Sequence, residues 1–143
     1  MTAWSYLPNA KHIDAIIASV KANPEVWGAA WRTVVGRNAA WDAARNAAWK
    51  SAWNAAWDAA WNAARGAARE AAWEAARDAA WYATRNAARG GILALVAYDH
   101  ASRYLEMKPD QLHAWALLSE DPAAVLLIPA VIAFDKLAET ETA

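Results

Sequence analysis

Apolar residues recur at three- and four-residue intervals along almost the whole chain, the spacing of helices that bury one side. Asn9 stands where a helix would be capped, and Ile13, Ile16, Ile17 and Val20 follow on one face. Asn23-Pro24-Glu25 opens a second helix, because proline fits the first turn, where no amide donor is needed. Trp27 and Trp31 share a spacing of four, but their phase differs from that of the tryptophans that follow, so the pattern slips between Thr33 and Gly36. Further on, Ile92 to Glu106 reads as one helix, and Pro109-Asp110 starts another. Asp121-Pro122 caps a last apolar helix, which Pro129 should kink and which should fray from Glu139 to Ala143.

Between these flanks, from Arg37 to Gly90, the pattern becomes a strict tetrapeptide. The first position of each block holds only Trp or Arg: Arg37, Trp41, Arg45, Trp49, Trp53, Trp57, Trp61, Arg65, Arg69, Trp73, Arg77, Trp81, Arg85 and Arg89. The second is polar or Gly except at Tyr82, and the third and fourth are Ala except at Ser51 and Thr84. Ala and Arg favour helix and no Pro interrupts the run, so the whole repeat is expected to be helical. Gly90-Gly91 is expected to end it as a C-cap.

A period of four overshoots a helix of 3.6 residues per turn, so the Trp/Arg stripe drifts by roughly 40° per block. One straight helix would run about 80 Å and turn its indoles to every side, whereas a compact chain of this size has a radius of gyration near ~14 Å. The expectation is therefore that the helix either breaks, near Arg65-Gly66, or is covered by copies of itself. In both cases the chain is read as an all-α helical bundle forming a homo-oligomer. Residues 1–143 make one domain, with N-terminal helices at 8–36, the repeat at 37–90 and C-terminal helices at 91–143.

Composition refines this picture. Hydrophobic residues make up 58% of the chain, yet mean hydropathy is −0.04 because so many of them are alanine. The longest apolar stretch, Ala123 to Phe134, is too short to span a bilayer, which takes about 20 residues. No basic-then-apolar leader precedes the first helix, so a cytoplasmic location and no membrane partner are expected. The net charge of −1 argues against DNA as a partner. The repeat itself carries eight basic and five acidic residues, a local excess of +3 that would suit a small anion.

Chemistry-bearing residues are sparse. There is no cysteine, and His12, His100 and His113 fall into no metal-ligand spacing, so no metal, no cofactor and no catalytic residue is assigned. Asp99-His100 with Glu106 is the one acid–imidazole group worth naming, and adjacent residues on a helix diverge by about 100°. The chain is read as a non-enzyme.

The ladder supports two functions. Trp41, Trp49, Trp53, Trp57 and Trp61 form a Trp-rich half suited to an oligomer core, with indoles filling the space that alanine faces leave. Arg65, Arg69, Trp73, Arg77, Trp81, Arg85 and Arg89 form an Arg-rich half in which a nucleobase could stack on indole while guanidinium takes phosphate. The leading expectation is an oligomer that sequesters a small anionic, aromatic, nucleotide-derived ligand. The alternative is a structural or protein-interaction module whose ladder serves self-assembly or the blocking of a partner.

The run Gly91-Ile92-Leu93-Ala94-Leu95-Val96-Ala97-Tyr98-Asp99-His100, the run Pro122 to Ala130 and the preceding Ala-Ala-Trp-Asp repeats resemble a group of small bacteriophage proteins with Ala/Trp repeats. The likeness covers roughly the C-terminal two-thirds. It implies a phage protein made in the host bacterial cytoplasm and, by analogy, a counter-defence factor that sequesters a nucleotide signal or blocks a host protein. It carries over no catalytic residue.

Overall fold

The computed structural model describes residues 7–34, 39–63 and 86–142, and all the regular structure among them is helical. The elements are α1 (Ala10–Ala22), α2 (Pro24–Val34), α3 (Ala39–Ala63), α4 (Asn86–Ala97), a 3-10 segment (Asp99–Glu106), α5 (Pro109–Ser119) and α6 (Pro122–Thr142). The all-α expectation holds.

The core forms around α4 and α6. Residues 123–131 of α6 and 91–96 of α4 are buried without interruption, as expected of helices that are apolar on all sides and enclosed by others. α4 packs on α6, and α1, α2, α3 and the 3-10 segment each contact at least one of the pair, while α5 packs on α6. Ile13, Ile16 and Val20 of α1 are buried as the sequence implied, while Ile17 is half-buried against the same core.

Glycine sets the closeness of the central contact. Gly90 and Gly91 do not cap the repeat as expected; they lie inside α4. A Cβ on Gly90 would come within 3.1 Å of the Leu126 Cδ2, and one on Gly91 within 3.2 Å of the Leu127 Cδ2, both on α6. The absent side chains let the two helices approach, an advantage that outweighs the helix propensity glycine lacks.

The two ends of the repeat lie side by side, because α3 packs directly on α4. In a single straight helix, Ala63 and Asn86 would be about 35 Å apart, so the extended-rod alternative does not hold. The expected break at Arg65-Gly66 lies outside the described residues.

Two expectations about helix ends are corrected. Asn9 does not cap α1 with its side chain. Its buried Nδ2 donates instead to the carbonyls of Leu95 (3.1 Å), Tyr98 (3.0 Å) and Asp99 (3.3 Å) at the end of α4. The Leu95 carbonyl is one that the end of α4 leaves without an intrahelical partner, while Tyr98 and Asp99 stand where the 3-10 segment begins and the Tyr98 carbonyl also accepts the Ala101 amide. Ile92 to Glu106 is not one helix: Tyr98 is extended (φ −130°, ψ 117°), and a 3-10 segment follows. At the other end, α6 passes through Pro129 and runs on to Thr142, where a frayed tail was expected. Asp121 does cap α6, its Oδ1 accepting the Ala123 amide at 3.0 Å.

Candidate functional site

The Trp-rich half of the ladder sits on α3, where alanines rather than indoles face the chain's own core. The fourth-position alanines Ala48, Ala52 and Ala56 are the buried residues. Trp49 and Trp53 are half-buried against the core's edge, and Trp57 is 39% exposed. Alanine on the inner face lets α3 approach its neighbours closely, and the bulky indoles then fall to the flanks. Trp41 and Trp61 lie on α3, but their side chains fall outside the described residues.

Of the Arg-rich half, Arg65, Arg69, Trp73, Arg77, Trp81 and Arg85 lie outside the described residues. Arg89 is half-buried on α4. One Trp–Arg stack is visible at the start of the ladder, between helices rather than along one. The Arg45 guanidinium of α3 lies 4.7 Å from the centre of the Trp31 ring of α2, a cation–π distance. Trp31 and the repeat thus lie on different helices, α2 and α3.

The acid–imidazole group differs from the one the sequence offered. His100 pairs with neither Asp99 nor Glu106 among the contacts seen; its Nε2 lies 2.7 Å from Oδ2 of Asp121, twenty-one positions on. The Tyr104 hydroxyl donates to the same oxygen at 2.5 Å, and the Trp115 Nε1 donates to that hydroxyl at 3.1 Å. The rings of Tyr98 and Tyr104 flank the imidazole at 5.8 and 5.9 Å. A chain of hydrogen bonds therefore ties the 3-10 segment, α5 and the first turn of α6 to one carboxylate. Asp121 gave a sequence signal only as a cap.

Burial pushes the Asp121 carboxyl up, but the hydrogen bonds from Tyr104, His100 and the Ala123 amide, with the charge of His100, outweigh it and hold the group below 3.8. Burial raises the Tyr104 phenol, which also donates to the Asp121 carboxylate; burial and the Asp121 charge raise Tyr98. A carboxyl lowered by folding contributes stability that is complete above its unfolded value near 3.8 and is lost as pH falls through the folded value. A phenol raised by folding contributes below 10 and loses that contribution as pH rises beyond it. The stability difference between wild type and Asp121→Asn should therefore be present at about pH 5, above the unfolded value of the carboxyl. It should narrow below pH 4. Urea titrations of both proteins across that range check this, and a gap that persists unchanged into acid would remove Asp121 as the ionised centre.

Beside this cluster, α3 and the α5–α6 corner enclose a groove of about 380 Å³. Its walls are mostly apolar, including Ala47 of α3 and Leu117, Pro122 and Val125 opposite, with Ser51 and Glu120 as its polar members. Trp115, Leu117 and Leu118 on α5 are 45%, 64% and 81% exposed. Sequence reading passed over these three residues, having assigned the stretch only as a helix that starts at Pro109-Asp110.

Among the described residues there is no cluster of three or more metal-binding side chains, and no helix is long and apolar enough to cross a membrane. No family model, curated protein or solved structure matches the chain.

Proposed function

We propose that this chain is a self-associating helical interaction module that acts by contact rather than by catalysis. The observation that supports this most is the exposed apolar surface of α5, made by Trp115, Leu117 and Leu118, of which Leu117 also lines the groove. Scattered exposed leucines need no explanation, but large apolar residues gathered beside an apolar groove mark an interaction surface. In the phage setting that the sequence resembles, such a module would act by occupying a host protein. Light scattering at micromolar concentration should return a mass at least twice the 15.5 kDa of one chain; a monomer would overturn the reading.

A second reading, sequestration of a small anionic aromatic ligand, draws on the Arg45–Trp31 stack, which pairs the two groups a base and a phosphate would use. Mono-, di- and cyclic nucleotides should then quench tryptophan fluorescence and release heat in calorimetry. Stacking and charged hydrogen bonds at about 1–3 kcal/mol each would supply the affinity. Arg77→Glu should abolish both signals. Silence across the panel would leave the interaction module alone.

A further inference from the structure

We infer that the outward face of α5, with the groove beside it, is the self-association surface and that its occupant is the same ridge and groove of a second copy of this chain. The inference rests on the self-associating module proposed above and says where the contact lies.

Leu112 and Ala116 turn α5 toward the core, which leaves Ala114, Trp115, Leu117 and Leu118 facing outward. Between Gln111 and Ser119 this helix carries no Asp, Glu, Lys or Arg, so no formal charge would have to be stripped of water when the face is covered. Trp115 is already held in place through its Nε1 bond to Tyr104, so its ring loses little freedom on docking.

Area and shape point to a second copy. A tryptophan can bury up to about 250 Å², so the exposed share of Trp115 offers roughly 100 Å². Converting the transfer energy of leucine into area gives about 150 Å² more for Leu117 and Leu118. A stable dimer removes about 800 Å² from each partner, and only a little over half of that is apolar. The ridge therefore supplies about half of the apolar area needed, and the adjoining groove, to which Leu117 already belongs, adds a smaller share.

Leu117 belongs to both features, standing on the ridge and lining the groove. When ridge and groove share one residue, a two-fold axis can seat each ridge in the other copy's groove, so that one patch serves both partners. The nearby charges agree with such an arrangement. Glu120 at the groove and Lys50, next to groove-lining Ser51, are both exposed and of opposite sign, so a two-fold contact can set the α5 end of one copy against α3 of the other.

The chain has no cysteine, so Leu118→Cys creates a single thiol. A short bis-maleimide should convert this variant largely to covalent dimer, while Lys11→Cys on the exposed side of α1 stays monomeric on a denaturing gel. The double substitution Leu117→Asp with Leu118→Asp should bring the light-scattering mass down to 15.5 kDa with the helical circular dichroism unchanged. A wild-type monomer would overturn the module reading itself and leave the ridge to a different protein. A wild-type oligomer that survives the double substitution, with no crosslinking at position 118 above the Lys11→Cys control, would overturn this inference and leave the module standing. If the double variant unfolds, the crosslinking comparison decides.

Discussion

Replacing Trp27 with alanine should destabilise the fold by about 3–5 kcal/mol, the range for deleting a buried aromatic. Trp27 is fully buried, and its ring meets Phe134 edge-on at 5.3 Å. Its Nε1 donates to the Ser19 hydroxyl at 2.9 Å, and the Ser19 carbonyl accepts the Asn23 amide that closes α1. One indole thus joins α1, α2 and α6. Truncation opens a cavity between the three helices, strands the Ser19 hydroxyl and removes an aromatic pair, and these losses act in the same direction. Whole domains are stable by only about 5–15 kcal/mol, so the variant should lose a large fraction of its stability. Guanidinium unfolding followed by far-UV circular dichroism measures this directly. Trp27→Phe should recover part of the loss, since the ring is kept and only the indole's extra bulk and N–H are removed. A shift below about 1 kcal/mol for the alanine variant would mean that the corner does not depend on this residue.

Sequence singled out the pair Trp27 and Trp31 only as a slip in phase. It showed the helix starts at Pro24, Pro109 and Pro122 and the inner face of α1, because those rest on local rules: proline at a first turn and an apolar face of period 3.6. It could not show which face of the repeat turns inward. In a block of Trp, polar, Ala, Ala, three of the four positions are acceptable in a core, so periodicity alone leaves α3 free to rotate. Its neighbours make the choice. α4 and α6 meet through Gly90 and Gly91, and α3, which packs on both, presents Ala52 and Ala56 rather than an indole. The Asp121 cluster was hidden for a different reason. Its members are separated by up to twenty-one positions and come from three elements, a distance at which no spacing rule operates. Asn9 had a plausible local role as a cap, and a long-range one displaced it.

Ala52→Leu should cost about 1–3 kcal/mol, toward the upper end of the range for overpacking, whereas Trp57→Ala should change the stability of the single chain by much less. The sequence placed the indoles of the ladder in a contact between copies, so their contribution is expected to appear on assembly rather than in the fold of one chain. Ala52 is fully buried, with Ala48 and Ala56 one turn to either side on the same face of α3. A leucine there must displace the helices that α3 packs against, and Gly90 and Gly91 leave little slack, since even an added Cβ would meet α6 at 3.1 to 3.2 Å. Trp57 is 39% exposed, so removing it gives up only part of its burial. Thermal melts should be read at a concentration low enough to dissociate any oligomer, so that they report the fold of one chain. Repeating them at high concentration adds the contribution of assembly, and Trp57→Ala should then lose more than it did when dilute. If Ala52→Leu is neutral while Trp57→Ala is severe in dilute solution, then the indoles, not the alanines, hold α3 in place.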